Sequence, residues 1–246
     1  MTLTDKDKYI LAFDTSGPSL SVAVLKDELI VAEKFLNISN QHSINFLPAL
    51  DSLMQEIELT YDQLAALAVT VGPGSFTGIR IGVSTANTMA YGLDIPVLGF
   101  SSLRVLAESV KNQEMIILPS FDARGGRVFA GLFQDEKRLI ADQQFVDNEL
   151  PALLKDEFRS EDIYYLLGDG FTIVQELLKK NGIKYFRADS FLNEQDYISA
   201  RPLAFMARRE LLKNPELYHN GFNKPVEPNY CVVSQAERNL AQKAKQ

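Results

Sequence analysis

The sequence predicts an α/β protein of two similar lobes, each a mixed sheet covered by helices. Two observations predict it. The chain repeats itself: residues 13–32 read FDTSGPSLSVAVLKDELIVA and residues 121–141 read FDARGGRVFAGLFQDEKRLIA. Each copy opens on Phe-Asp, turns at the same offset (Gly17-Pro18 and Gly125-Gly126), runs an alternating apolar strand to an Asp-Glu pair and begins another. The order of elements after each hairpin then matches as well. With 246 residues and 46% hydrophobic content, the chain has core enough for one large or two small domains.

In the first copy, period-two alternation gives strands over 9–14, 20–26 and 28–35, and 3.6-residue spacing gives a helix over 43–57. A strand at 64–71, a helix at 77–91, a short strand at 96–100 and a helix at 102–110 follow. The second copy runs through strands at 115–121, 127–134 and 137–146, a helix at 148–156, a strand at 162–168, a helix at 171–181 and a strand at 183–188. A helix at 198–213 closes it. Gly92 and Gly182 are expected to end helices. Meandering strands followed by strands joined through helices make a mixed sheet. The lobes are expected at 1–112 and 113–246, with the last helix and tail free to pack back on the first.

Composition removes several function classes. The single cysteine, Cys231, excludes an internal disulfide and a cysteine zinc cluster and suits a reducing, cytoplasmic setting. The start, MTLTDKDKYI, is charged and predicts no secretory signal. No run is long and apolar enough to predict a membrane span. A formal net charge of −7 is unlike that of a protein that grips nucleic acid alone, so any tRNA contact is expected mostly from another subunit. Arg201, Arg208, Arg209 and Lys213 cluster near the last helix, as a solvated face or a tRNA contact. The histidines are His42 and His219, far apart in sequence, and no G-x-S-x-G elbow supports a nucleophilic triad. His42 is expected as a solvated or capping residue at a helix start.

Two lobes would place the turns at Asp14 and Asp122 across one cleft. On one reading Asp14, Thr15, Ser16, Gly17, Asp122 and Arg124 face a nucleotide, with backbone N–H groups on phosphate and the carboxylates holding magnesium through water. On the other, the aspartates accept turn hydrogen bonds. The stretch VGPGSFTGIR (71–80) resembles a phosphate loop but lacks the lysine of G-x-x-x-x-G-K-[ST]. Ser75 reads as an N-cap. Gly78, Gly82, Ala86 and Ala90 recur every four residues as a nearly bare stripe. A glycine inside a helix costs about 0.5–1 kcal/mol against alanine, which makes sense where another backbone comes close, either an internal neighbour or a partner protein.

FDTSGPSLSVAV, NQHSINFLPAL, VGPGSFTGIRIGVSTANTMAYG, IPVLGFSSLRVLA and FDARGGRVFAG together resemble the TsaB family, densely over 9–135 and thinly beyond. The resemblance implies an actin-like ATPase (ASKHA) fold. It implies a non-catalytic subunit of the bacterial tRNA threonylcarbamoyladenosine transferase complex, paired with a catalytic sister subunit, TsaD. TsaC supplies the activated threonylcarbamoyl-adenylate, and the ATPase TsaE joins the complex. Alone, the chain is expected to form a homodimer; tRNA is met only through the complex. The sister's metal is held partly by two histidines spaced H-x-x-x-H, where this chain carries Ser102 and Leu106, so no metal is expected. No cofactor of its own is expected, with a nucleotide in the cleft or at the partner interface left open. The resemblance points to the first two helices as the docking face: Ile44, Leu47, Leu50 and Met54 on one, Gly78, Gly82, Ala86 and Ala90 on the other. PNYCVV (228–233) reads as strand-like and departs from the Pro-x-Tyr-Leu-Arg pattern of the family. The polar tail from Ser234 is expected to be frayed or loosely helical. The competing functions are an ATP-dependent phosphotransferase or ATPase of the same fold and a metallopeptidase-like reading, which the missing histidines oppose.

Overall fold

Strands β1 (Tyr9–Asp14), β2 (Ser19–Lys26) and β3 (Leu29–Asn37) form an antiparallel meander, and β4 (Leu64–Gly72) and β5 (Val97–Ser101) extend it in parallel from β1. The sheet order is β3-β2-β1-β4-β5. The second copy repeats it with β6 (Ile116–Asp122), β7 (Val128–Gln134), β8 (Lys137–Phe145), β9 (Tyr164–Leu167) and β10 (Tyr185–Phe186), in the order β8-β7-β6-β9-β10. Both sheets thus follow one order, as the duplicated sequence predicts. The computed structural model describes residues 9–37, 41–110, 115–187, 196–219, 221–222 and 224–231.

The central strands are buried on both faces, which is why LAALAVTV in β4 is a continuous apolar run. Leu11 and Phe13 of β1 point to one side, with Val22 and Val24 of β2. There they pack under α1 (His42–Glu56) and α2 (Phe76–Leu93), against Phe46, Leu50, Leu53, Ala86 and Ala90. Ile10 and Ala12 point to the other side, into a core shared by both sheets. Two helices fill that shared layer. α3 (Ser102–Glu108) lies against β6 and β7 of the second sheet, and α6 (Ala200–Lys213) lies against β1 and β2 of the first. The lobes therefore exchange a helix each across one core. α4 (Glu149–Glu157) and α5 (Phe171–Lys180) cover the outer face of the second sheet.

Serine N-caps start α2, α3 and α6, at Ser75, Ser101 and Ser199. Ser75 accepts a hydrogen bond from the Gly78 N–H at 3.3 Å and starts α2. Gly182, with φ +68°, follows the end of α5. Gly92 does not end its helix. It lies inside α2, and Asp94 takes the left-handed cap at φ 52°. A short α7 (Glu216–His219) follows α6. Residues 228–231 form no strand; they run beside the end of β4, with the Asn229 N–H donating to the Val71 carbonyl at 2.7 Å. Val232, Val233 and the tail from Ser234 lie outside the described residues.

Candidate functional site

Asp14 ends β1 and is wholly buried. Its Oδ1 accepts from the Ser16 N–H at 3.1 Å, the Ser16 hydroxyl at 2.6 Å and the Thr70 hydroxyl; its Oδ2 has no protein partner. Burial pushes this carboxyl above the usual carboxylate range, against the pull of the Ser16 and Thr70 hydrogen bonds and of His42. Thr15 and Ser16 are buried beside it. The Thr15 hydroxyl donates to the Gly78 carbonyl at 2.7 Å, and the Ser16 carbonyl accepts from the Ser75 N–H at 2.7 Å. Loop 72–78 thus lies over the turn and uses the Thr15 hydroxyl and the Ser16 carbonyl, while Ser16 and Thr70 take up Asp14 Oδ1. Gly17 is half-buried, its carbonyl 2.8 Å from His42 Nε2. His42 is itself buried rather than solvated.

The glycines of the loop serve this closure. A β-carbon at Gly74 would land on the Ser16 carbonyl oxygen and one at Gly78 on the Thr15 carbonyl oxygen. At Gly82 it would stand 2.5 Å from the Thr15 hydroxyl oxygen and 3.3 Å from Val69. The loop cradles the carbonyls of its own hairpin, where a phosphate loop would cradle an anion. The stripe Gly78, Gly82, Ala86 and Ala90 is buried inside the chain, so of the two neighbours left open, the internal one is present. Leu50 and Met54 are buried in the same core. All six are corrected as surface residues, because the first sheet already occupies that side of both helices. Ile44 and Leu47 do reach solvent, 73% and 53% exposed.

What α1 and α2 turn outward is different. A shallow groove between them is lined by Ser43, Phe46, Leu47, Arg80, Ile81, Ser84 and Thr85. Along α2 the outward line is Thr77, Ile81, Ser84 and Thr88, small or β-branched at spacings of four, three and four. Phe76 and Tyr91 are exposed at its two ends. The signal for this line was present in the sequence as a second helical period, hidden by the more conspicuous glycine stripe.

The second hairpin turn is built differently. Asp122 is exposed; its Oδ1 accepts from the Arg124 N–H at 2.7 Å, and its own N–H donates to Asp169 Oδ1 at 3.0 Å. Arg124, Gly125 and Gly126 are consecutively left-handed, at φ 64°, 63° and 75°. Asp169 was missed in the sequence. Burial raises its carboxyl to about 6, with Asp122 and Asp196 adding to the rise. Asp196 is itself paired with Arg187 at 2.5 Å. Both aspartates of the repeat therefore serve their turns, one buried and one exposed. Among the described residues no group of three or more His, Cys, Asp and Glu is placed to hold a metal ion.

Ser102 and Leu106, which the resemblance set against the sister's two histidines, are buried, Leu106 in the shared core. The basic residues of α6 are engaged: Arg201 with Glu33, Arg208 with Glu28, Arg209 with Glu108 and Lys213 with Glu136. They tie α6 to both lobes and form no free basic patch.

A family model described as "TsaD: tRNA N6-adenosine threonylcarbamoyltransferase" matches residues 31–151. The chain is 37% identical over 154 residues to the "tRNA threonylcarbamoyladenosine biosynthesis protein TsaB" of Bacillus subtilis, covering 61% of this chain and 67% of that one. It is 32% identical over 166 residues to the protein of the same name from Escherichia coli, covering 67% and 70%. A solved structure from Pseudomonas aeruginosa, titled as similar to peptidase YEAZ, superposes with a TM-score of 0.73 at 21% identity over 92% of this chain and 100% of that one. It shares the fold.

Proposed function

The chain belongs to the TsaB family, and from that premise we propose that it is a non-catalytic scaffold subunit of a tRNA threonylcarbamoyladenosine transferase complex, docking the catalytic sister subunit TsaD on the outer face of α1 and α2. The observation that carries the reading is that face: Ile44 and Leu47 stand 73% and 53% exposed beside a groove. Apolar patches beyond a few hundred square ångströms are unfavourable in water and mark interaction surfaces. The match of residues 31–151 to the sister family's description covers both helices, which supports a partner that presents a related pair. Core packing at Ser102 and Leu106 supports leaving the metal chemistry to that partner.

On this reading the chain needs no cofactor of its own and meets tRNA and TsaE only through the complex, in the cytoplasm. Alone, it closes the same face against a second copy as a twofold dimer. No helix among the described residues is long and apolar enough to cross a membrane. Reconstitution tests the proposal. TsaD, TsaC, TsaE, ATP, threonine, bicarbonate and tRNA should give modified adenosine only when this chain is added, and this chain alone should give neither transfer nor ATP hydrolysis above background. Full modification without it, or turnover by it alone, would overturn the reading.

A further inference from the structure

We propose that Arg80 is the charged anchor of this docking face and that it takes a carboxylate carried on a helix of the partner; the inference rests on the docking reading above. Arg80 is exposed and lines the groove beside Leu47, Ile81 and Ser84. Its guanidinium lies over the Phe76 ring, 3.8 Å from the centroid, and its Nε donates to the Tyr230 hydroxyl at 2.9 Å. The two rings themselves pack with centroids 4.8 Å apart. The fork is thus fixed from two sides. Once Nε is committed, four N–H donors remain on the two Nη atoms.

Among the described residues those donors meet no carboxylate; Arg124, Arg127 and Arg159 likewise form no ion pair there, but none of these three lines the groove. Arg104, Arg138, Arg187, Arg201, Arg208 and Arg209 each pair with a carboxylate of the chain itself. None of the ion pairs among the described residues involves Arg80. A planar, pre-set guanidinium with unused donors fits a carboxylate bidentately. No second cation lines the groove, which suits a single carboxylate on an apolar ridge better than a phosphate carrying up to about two charges. The line Thr77, Ile81, Ser84 and Thr88 leaves room for such a ridge to lie along α2. Arginine and tyrosine beside exposed apolar residues are also the usual makings of an interface hot spot.

Tyr230 is a positioning residue in this arrangement, and it belongs to residues 224–231, which with Gly221 and Phe222 run back along α2. Phe222 donates its N–H to Asp94 Oδ1 at 3.2 Å and meets the Tyr91 ring edge-on. Asn87 bonds the Val226 N–H and carbonyl, both at 2.9 Å. The segment so bound delivers Tyr230 to Arg80.

The test measures binding of the full chain to TsaD by calorimetry at two salt concentrations, for wild type, Arg80→Gln, Arg80→Lys, Tyr230→Phe, the Arg80→Gln/Tyr230→Phe double variant and Leu47→Asp. Thermal melts confirm that each is folded. Arg80→Gln should weaken binding about tenfold or more and flatten its salt dependence; Arg80→Lys should restore the salt dependence without the full affinity. Tyr230→Phe should weaken binding severalfold in wild type and have no further effect in Arg80→Gln, since the hydroxyl acts through the arginine. Wild-type affinity and salt dependence in Arg80→Gln, with binding lost in Leu47→Asp, would overturn the anchor and leave the docking face standing. Wild-type affinity in both would overturn the docking face as well. Loss of self-association in Arg80→Gln with unchanged TsaD affinity would make the occupant a second copy and overturn the proposal.

Discussion

Gly78 sits where a β-carbon would collide with the Thr15 carbonyl oxygen, a backbone atom that cannot swing aside. Gly78→Ala should therefore destabilise the chain by about 2–4 kcal/mol, read from urea unfolding, whereas Ser84→Ala on the outer side of the same helix should stay within about 0.5 kcal/mol. Equal, small effects would mean that the helix does not press on the hairpin turn. Asp169 gives a second, pH-dependent prediction. Its folded carboxyl is raised to about 6 from an ordinary 3.8, so between those values the folded state holds the proton more tightly than the unfolded chain does. Stability then falls as pH rises through that window, and the cost is complete above it. Asp169→Asn keeps an oxygen for the Asp122 N–H and removes the charge. At pH 8 it should be more stable than wild type by about 1–2 kcal/mol, a full two-unit shift discounted for partial exposure, and the gain should vanish by pH 4. A gain independent of pH would place its origin elsewhere. At this scale the sequence showed which residues make the two turns. It did not show that Asp14 is buried, because its neighbours come from far along the chain: Thr70 of β4 bonds it, and loop 72–78 packs on Thr15 and Ser16 beside it.

Helices and strands were legible almost throughout, since period-two and 3.6-residue patterns survive in a chain buried on both faces of its sheets. Even the layout of α2 was half legible: its caps and glycines pointed to close packing, but not to which side. Two periods share that helix, one of glycine and alanine and one of threonine, isoleucine and serine, and only the sheet decides which is inside. Residues 221–222 and 224–231 were not legible as an element. KPVEPNYC has no period, and its partners Asn87, Arg80 and Phe76 are recruited from one face of a distant helix. Asn87→Ala would leave the Val226 N–H and carbonyl without their side-chain partners, a loss of about 1–3 kcal/mol. Chymotrypsin should then cut at Phe222 or Tyr230 severalfold faster than in wild type, with global unfolding shifted less. Unchanged cleavage would show that this segment is held by something other than Asn87.

At the level of the whole molecule, two copies of one lobe exchange α3 and α6 across a shared core, and the basic residues of α6 are used in holding that exchange together. The Thr15 hydroxyl and the Ser16 carbonyl of the first turn are likewise used in holding loop 72–78. Among the described residues, the feature that the proposal assigns to function is the outer face of α1 and α2, where Ile44 and Leu47 are exposed. The central claim is that the chain acts by docking a partner there. The most direct measurement is the affinity of TsaD for an Ile44→Asp/Leu47→Asp variant whose circular dichroism and melting temperature match wild type. Both side chains are exposed, so the fold should be kept to within about 0.5 kcal/mol per site. Burying two carboxylates in an apolar interface should weaken binding by about a hundredfold or more. Wild-type affinity from the folded variant would contradict the account.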